Sequence, residues 1–348
     1  MRTNTGNSKY TWTVEKEHKL TEAVLTSGGP VTATRAVAGA PLVDAPFASA
    51  LVELGHERPE VVVVSADLSK YTDVAPFAQA FPERFFQVGM AEQNLMGISG
   101  GLAKTGFIPV AATYCVFATR RANDQVQMAL STGHRTAVIA AFLPGITTPF
   151  RASHQGNDDL AIMRAIPGMT VIDPMDATEM ASALRAAVDV PGPVYLRGLR
   201  GQVPEIIDPS LEFVVGATRL LRDGSDVGFI GTGIGTSWAL EAADILASIG
   251  VSAGVLHVPT VKPFDSEAVG RYCARFQAVL TVENHSVIGA LGSAVCEAVA
   301  EVGTPCRVRR LGVPDRWADA GPLDYLRARL GLDAASLATV ASETIGGL

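Results

Sequence analysis

A single carboxylate, Glu92, stands where an apolar segment gives way to a helix rich in glycine and alanine. The segment Phe85–Met90 is typical of a strand, and we predict the helix over Ala91–Lys104. Such a junction lies at the carboxyl end of a parallel sheet, where open α/β folds bind ligands. Glu92 is therefore a candidate acid or base in a site, although a carboxylate there could also only stabilise the helix N-terminus.

Two further side chains are suited to polar chemistry. Asp67 follows the β-branched run Val61–Ser65, so it too stands at a strand end, although it could instead cap a helix. His154 lies in the loop sequence Ser153-His-Gln155. A histidine there could exchange a proton with a hydroxyl group near neutral pH, or it could be structural.

The elements that must position these residues alternate between strand and helix from Pro41 onward. Alternation at this spacing predicts an α/β fold with right-handed crossovers and a doubly wound parallel sheet. The predicted strands are Val61–Ser65, Phe85–Val88, Ile108–Ala112, Thr136–Phe142, Thr170–Ile172 and Val194–Leu196, and the helices between them are Phe47–Leu54, Ala91–Lys104, Thr119–Leu130, Asp159–Ala165 and Ala177–Ala187.

The chain divides into an arm and two domains. Residues 1–40 are polar and then rich in glycine, alanine and threonine, which predicts an extended or partly disordered arm. The first domain is predicted over residues 41–203 and a linker over 204–210. A second α/β domain follows over 211–348, with strands near Val227–Ile230, Ser252–His257, Ala278–Val282 and Arg307–Leu311.

Composition excludes several classes of protein. The hydrophobic fraction of 48% and the charged fraction of 18% favour a compact enzyme core. The net charge of −7 and the absence of a basic run argue against nucleic acid, and no apolar run predicts a membrane span. The four cysteines lack metal-ligand spacing, so we expect reduced thiols, no metal site in this chain and, without a signal sequence, a cytoplasmic location.

Six short motifs occur in an order that resembles the transketolase family. The resemblance is to the C-terminal half of these enzymes, which comprises the pyrimidine-binding domain and the C-terminal domain, and it covers residues 41 to about 330. It implies two doubly wound α/β domains. The motifs are Ser65-Ala-Asp-Leu68, Gly89-Met-Ala-Glu-Gln93, Tyr114-x-x-Phe117, Asp124-Gln125, Ser153-His-Gln155 and Ile166-Pro-Gly-Met169.

The resemblance implies thiamine diphosphate as cofactor and gives roles to five residues. The cofactor's aminopyrimidine must adopt an imino tautomer, which needs a buried carboxyl group at its far ring nitrogen, and Glu92 matches that position. Tyr114 and Phe117 would form the aromatic platform, although core packing explains an isolated pair of rings as well. Asp67 would lie beside the cofactor. His154 would face the hydroxyls of the donor sugar and help to move protons.

One family motif is absent. The Gly-Asp-Gly sequence that holds Mg²⁺ and the diphosphate in the family does not occur in this chain. The glycine-rich Gly231-Thr-Gly-Ile-Gly235 does not replace it, although a helix N-terminus there could bind an anion. We therefore expect a separate N-terminal transketolase-like subunit that holds Mg²⁺ and shares the cofactor, in an α₂β₂ heterotetramer. The helices beginning near Glu92 and Thr119 are expected at that interface.

Departures from the family pattern affect the expected substrate. Phe150 replaces an aspartate that reads a donor hydroxyl, and Phe142 replaces a histidine. Tyr71 replaces a serine that contacts the acceptor phosphate. Arg200 keeps its match, and Arg151, beside the candidate histidine, could rebuild an anion site. These changes predict ketol transfer with a non-phosphorylated, branched or more apolar sugar or aldehyde.

Two other functions stay open. The β subunit of a 2-oxo-acid dehydrogenase decarboxylase component shares the fold and the glutamate, and it would form acyl-lipoamide from a 2-oxo acid. A non-catalytic partner of another thiamine enzyme is the second alternative. Glu92 argues against it, because a subunit without catalysis has no need of that carboxyl group.

Overall fold

The computed structural model of the chain describes residues 39–133 and 135–347. The predicted N-terminal arm lies outside the described residues except for its last two positions. No helix in the described part of the chain is long and apolar enough to cross a membrane.

A seven-stranded sheet forms the first half of the molecule. Its strand order is β12-β6-β7-β5-β4-β2-β3, and all neighbours are parallel except β12 and β6. The bounds are β2 Val61–Ser65, β3 Phe85–Gln87, β4 Ile108–Tyr114, β5 Ala137–Phe142, β6 Thr170–Ile172, β7 Pro193–Gly198 and β12 Thr260–Lys262.

Helices cover both faces of this sheet. Alternate residues of the central strands belong to two different buried apolar clusters, Val110 and Val138 to one, Ala111 and Ile139 to the other. The sheet is therefore doubly wound, as predicted. The helices are α1 Pro46–Glu57, α2 Ala75–Ala80, α3 Glu92–Lys104, the irregular helix α4 (Phe117–Arg121, Asn123–Gln125 and Val126–Ser131), α5 Asp159–Ala165 and α6 Ala177–Ala187, with a 3₁₀ turn at Pro82–Arg84.

A second, five-stranded sheet has the order β14-β13-β10-β11-β9, in which only β9 is antiparallel to its neighbour. Its elements are β9 Arg219–Arg222, β10 Val227–Gly231, α7 Ile234–Ser248, β11 Ala253–His257, α8 Ser266–Cys273, β13 Ala278–Ser286, α9 Leu291–Val302 and β14 Arg307–Val313, followed by α10 Leu323–Leu330 and α11 Ala334–Gly346. The α/β class is confirmed in both halves.

One strand of the second half of the chain joins the first sheet. Strand β12 follows β11 in the chain but pairs with β6 of the first sheet. A short antiparallel pair joins β1 (Leu42–Asp44) to β8 (Gln202–Pro204). The predicted boundaries at 203 and 211 remain predictions.

The helix predicted over Thr119–Leu130 is irregular. Two π-helical stretches, Phe117–Arg121 and Val126–Ser131, flank the short α-helical stretch Asn123–Gln125. Wide turns of this kind occur often at functional sites. The first π-helical stretch sets the directions of two adjacent arginine side chains, Arg120 and Arg121.

The glycine-rich segment before α7 serves packing. All five residues from Gly231 to Gly235 are buried. The Gly233 N–H donates to the backbone oxygen of Asp173 at 3.0 Å, and a Cβ on Gly233 would lie 2.4 Å from the Asp173 carboxylate. The anion site considered for this helix N-terminus is therefore not supported, because a residue of the first sheet fills the space.

Candidate active site

A cavity of about 460 Å³ opens at the carboxyl ends of the first sheet. Ala66 and Leu68 reach it after β2, Tyr114 ends β4, and Leu143 follows β5. The parallel register of these strands brings the ends together at one edge, where open α/β sheets bind ligands.

Glu92 contributes a buried carboxylate to this cavity. It is the first residue of α3, and only 2% of it is exposed. Arg121 donates from Nη1 to Oε2 at 2.8 Å, and its own side chain is 52% exposed. A buried carboxylate needs such a partner, because desolvation of an unpaired charge is costly.

Tyr114 and Phe117 form a stacked aromatic wall. Their ring centroids lie 5.7 Å apart and the ring planes differ by 25°. Burial raises the pKa of the Tyr114 phenol to about 12 against the opposing charge of Arg200, so the phenol is protonated at neutral pH. The wall offers a flat apolar surface to an aromatic ligand.

His154 lies among three aromatic rings. Its ring centroid is 5.0 Å from that of Phe150, 5.5 Å from Phe117 and 6.1 Å from Tyr114. Nδ1 is 2.9 Å from the Ser153 hydroxyl, which leaves Nε2 to a substrate in either tautomer. Burial, and secondly the charge of Arg121, lower the pKa of His154 below 6.5, so the neutral ring predominates at pH 7.

Two residues at strand ends adopt left-handed backbone angles without being glycine. Asp67, two residues after β2, has φ 59°, and Leu143, directly after β5, has φ 58°. Such conformations are costly and cluster at functional sites. Both turns lie beside the cavity, since Ala66, Leu68 and Leu143 line it.

The structure gathers most of the predicted site residues at this cavity and leaves three aside. Asp67 and Arg151 are exposed and do not line it, so their roles remain predictions. Phe142 does not line it either: its side chain is fully buried and packs edge-on against Phe47, with centroids 5.1 Å apart, so its substrate role also stays a prediction. Predicted residues that line the cavity are Glu92, Tyr114, Phe117, His154, Phe150, Tyr71 and Arg200.

Five residues that line the cavity were not predicted as site residues: Ala66, Leu68, Met90, Arg121 and Leu143. Leu143 directly follows β5 and reaches the cavity from a left-handed turn, which the sequence does not reveal. Met90 is 77% exposed, a signal that only the structure shows. The pair Arg120-Arg121, directly after the Phe117 motif in a weakly charged region, is the sequence signal that could have identified Arg121.

A buried charged cluster lies outside the cavity. Arg197 donates from Nε to Asp159 at 2.8 Å and from Nη1 to Asp173 at 3.1 Å and to the backbone oxygen of Asn284 at 3.3 Å. Burial raises the pKa of Asp173 to about 6. For Asp159 burial also acts to raise the pKa, but the charge and hydrogen bonds of Arg197, together with His285 and Tyr195, outweigh it and lower the pKa. This cluster joins the two halves and does not form part of the site.

The cavity fits one part of a thiamine cofactor. A flat ring can lie against the Tyr114–Phe117 wall while a ring nitrogen donates to the buried carboxylate of Glu92. No cluster of three or more metal-ligating side chains occurs within residues 39–133 and 135–347. The fit is to the aminopyrimidine ring of the cofactor.

Comparison with known families decides the assignment. Residues 43–205 match the family described as transketolase, pyrimidine binding domain, and residues 216–337 match transketolase, C-terminal domain. The chain belongs to the transketolase family. It is 42% identical to a putative uncharacterised transketolase family protein of Sinorhizobium fredii, over 88% of this chain and 90% of that protein.

The chain is also similar to other members of the family. It is 40% identical to a 6-deoxy-6-sulfo-D-fructose transketolase subunit of a Clostridium species, over 85% of this chain and 92% of that one. A solved chain described as a split gene transketolase, inactive β4 tetramer, superposes with a TM-score of 0.80 at 41% identity, covering 86% of this chain and 97% of that chain. A 1-deoxy-D-xylulose-5-phosphate synthase of Geobacter sulfurreducens is 40% identical over 84% of this chain, but the match covers only 46% of the synthase.

Proposed function

We propose that this chain is the C-terminal subunit of a two-chain, thiamine-diphosphate-dependent transketolase. The reaction breaks the C2–C3 bond of a ketose and moves the two-carbon ketol unit to the aldehyde carbon of an acceptor, with no net oxidation. The observation that carries the proposal is the buried carboxylate of Glu92 beside the Tyr114–Phe117 wall, in a chain whose relatives include split transketolase subunits.

The residues of this chain divide the work. Thiamine diphosphate, when bound, supplies the nucleophilic carbon that attacks the ketose carbonyl. Glu92 accepts a hydrogen bond from the pyrimidine nitrogen and favours the imino tautomer, while Tyr114 and Phe117 hold the ring. His154, neutral at pH 7, takes the proton from the donor hydroxyl as the carbon–carbon bond breaks and returns it to the product.

A separate chain completes the cofactor site in this proposal. Arg121 and Arg200 are the cationic side chains among the residues lining the cavity, and Arg121 is paired with Glu92. We therefore assign Mg²⁺ and the diphosphate to an N-terminal transketolase-like subunit in an α₂β₂ assembly. Met90, an apolar side chain that lines the cavity, is 77% exposed, which supports a partner surface there.

The proposed substrate lacks the usual sugar phosphate. Phe150 and Tyr71 line the cavity where the family has polar ligands, and each lost charged hydrogen bond weakens binding by about 1.5–3 kcal/mol. Arg200 remains, with its guanidinium carbon 5.5 Å from the centre of the Tyr71 ring. The relative described as a 6-deoxy-6-sulfo-D-fructose transketolase subunit supports a donor with a different distal group.

The test is reconstitution with an N-terminal transketolase-like chain, thiamine diphosphate and Mg²⁺. Ketose donors with and without phosphate are offered with aldehyde acceptors, and products are identified by mass. We expect ketol transfer with a non-phosphorylated ketose to exceed that with fructose 6-phosphate and ribose 5-phosphate. A preference for the phosphorylated pair would contradict the substrate proposal, and acyl-lipoamide from a 2-oxo acid would favour the dehydrogenase alternative.

A further inference from the structure

Two adjacent arginines on the π-helical start of α4 reach the two groups proposed for catalysis from one short segment. Arg121 donates to Glu92 at 2.8 Å, and its guanidinium carbon lies 4.6 Å from the centre of the Phe117 ring. It therefore contacts both the carboxylate and one ring of the aromatic wall. A charged hydrogen bond of this kind restrains the carboxylate through Oε2 and leaves Oε1 for a ligand.

Arg120 turns instead to the loop that carries His154. It donates from Nη1 to the backbone oxygen of Ala152 at 2.9 Å and from Nη2 to that of Gln155 at 3.2 Å. Its Nε and Nη2 also donate to the Asp158 carboxylate at 2.7–3.1 Å. The two carbonyls belong to residues on either side of His154, so one guanidinium closes the loop around it.

A structural contact from the second half supports this arrangement. The Arg120 guanidinium carbon lies 5.3 Å from the centre of the Trp317 ring, and Gln155 donates from Nε2 to the backbone oxygen of Asp319 at 3.1 Å. The His154 loop is thus held from two sides. Only a planar group with several divergent N–H donors can reach all three of the Arg120 acceptors at once, which a lysine cannot do.

We propose that Arg120 and Arg121 are paired positioning residues: Arg121 orients the Glu92 carboxylate, and Arg120 fixes the loop that presents His154. The inference rests on the proposed function for the roles of Glu92 and His154. It predicts that the two arginines have separable effects, because their contacts are separate. The orientation of the Glu92 carboxylate depends on Arg121, and the conformation of the His154 loop depends on Arg120.

The electrostatic surroundings of His154 give Arg121 a distinct signature. Titratable or charged side chains that line the same cavity are Tyr71, Glu92, Tyr114, Arg121 and Arg200. After burial, the charge of Arg121 is the cause that lowers the pKa of His154. Removal of that charge should therefore raise this pKa, whereas removal of Arg120 should leave it unchanged.

The experiment compares Arg120→Gln, Arg120→Lys, Arg121→Gln and Arg121→Lys with the matched control Arg222→Gln, which breaks an exposed ion pair to Asp244 in the second half. On the chain alone, hydrogen exchange is measured over residues 151–158 and the His154 ring is titrated by NMR, with His154→Asn for assignment. On the reconstituted complex, kcat and KM are measured across pH.

For Arg120→Gln we expect exchange in residues 151–158 to accelerate by about tenfold or more, with the His154 pKa unchanged and Arg120→Lys intermediate. For Arg121→Gln we expect the His154 pKa and the acid limb of kcat/KM to move to higher pH. In Arg121→Lys the acid limb of kcat/KM should stay at the wild-type pH, because lysine keeps the positive charge. Both glutamine variants should lose about 10²-fold in kcat, since misplaced catalytic groups are that costly.

Unchanged exchange in both Arg120 variants, or an unchanged His154 titration in Arg121→Gln, would overturn the inference. If Arg120→Gln does not fold, Arg120→Lys carries the exchange test. A wild-type complex without thiamine-dependent ketol transfer would refute the proposed function instead. In that case the exchange and titration measurements on the chain alone still decide the roles of the two arginines.

Discussion

At the scale of single residues, Glu92 and His154 share a cavity but differ in their surroundings. Glu92 is buried and paired with a guanidinium, whereas His154 is half-buried among aromatic rings. The first arrangement holds an acceptor in place for a ring nitrogen. The second favours a neutral imidazole that can take a proton at physiological pH.

We expect Glu92→Gln to lower kcat of the reconstituted complex by about 10²-fold or more, because an amide cannot share a proton with the pyrimidine as a carboxyl group does. Steady-state kinetics at saturating cofactor measure the effect. Glu83→Gln, at an exposed position outside the cavity, is the matched control. Retention of full activity in Glu92→Gln would favour the non-catalytic alternative.

A second prediction concerns pH. The lowered pKa of His154 keeps the ring neutral until the pH falls below 6.5, so the acid limb of kcat/KM should have its midpoint below that value. The limb should be absent from the residual activity of His154→Asn. A wild-type midpoint clearly above 6.5 would show that the ring is charged at neutral pH, contrary to the burial argument.

The sequence indicated most of these residues because their motifs are local, and it missed those set by geometry. Glu92 could be read from a strand-to-helix junction. The substrate role of Phe142 stays a prediction, because its side chain is buried in the core, and the left-handed turn at Leu143 is not readable from the sequence. The direction of the Arg121 side chain depends on the π-helical turn, and no side-chain pattern in the sequence predicts that turn.

At the scale of elements, the strands and α helices with strong apolar patterns were predictable. Helices Asp159–Ala165 and Ala177–Ala187 lie where periodicity predicted them. Strand β12 was not predicted, because a three-residue strand that joins the sheet of the other half carries no local pattern. The small residues of α3 allow a close approach to a neighbouring helix, and the structure shows where it occurs.

Two neighbouring glycines of α3 give a matched test of that packing. A Cβ on Gly100 would lie 2.5 Å from the backbone oxygen of Ala129 in α4, whereas a Cβ on Gly101 meets nothing within 4 Å. We expect Gly100→Ala to lower the free energy of unfolding by about 1–3 kcal/mol. Gly101→Ala should raise it by about 0.5–1 kcal/mol, because alanine is the better helix former.

Urea denaturation of both variants measures these changes. Equal effects of the two substitutions would contradict the close approach of α3 and α4. The comparison cancels the helix propensity, since both positions lie in the same helix and gain the same side chain.

At the scale of the whole molecule, buried polar groups connect the two halves. Arg197 of the first sheet donates hydrogen bonds to Asp159 and Asp173, which lie in the same half. It also donates to the backbone oxygen of Asn284, which lies in the second sheet. A second link joins Glu179 of α6 to His257 of β11, whose Nε2 lies 2.7 Å from the carboxylate. Such contacts depend on long-range packing, so no local pattern in the sequence predicts the role of Arg197.

We expect Arg197→Met to lower the free energy of unfolding by about 3–5 kcal/mol at pH 7, because it leaves buried carboxylates without their partner. Arg222→Gln, which removes an exposed pair, should cost at most about 1 kcal/mol. Chemical denaturation measures both. A loss in Arg197→Met no larger than in Arg222→Gln would contradict the role given to this cluster.

The most direct test of the account is calorimetric titration of thiamine diphosphate, with Mg²⁺, into this chain alone and into the chain joined with an N-terminal transketolase-like subunit. We expect tight binding by the pair and weak or undetectable binding by the single chain, because in our proposal this chain provides the pyrimidine pocket and the partner provides the diphosphate site. Tight binding by the single chain would contradict the two-chain site. Absence of binding in both would contradict the assignment of the cavity to the cofactor.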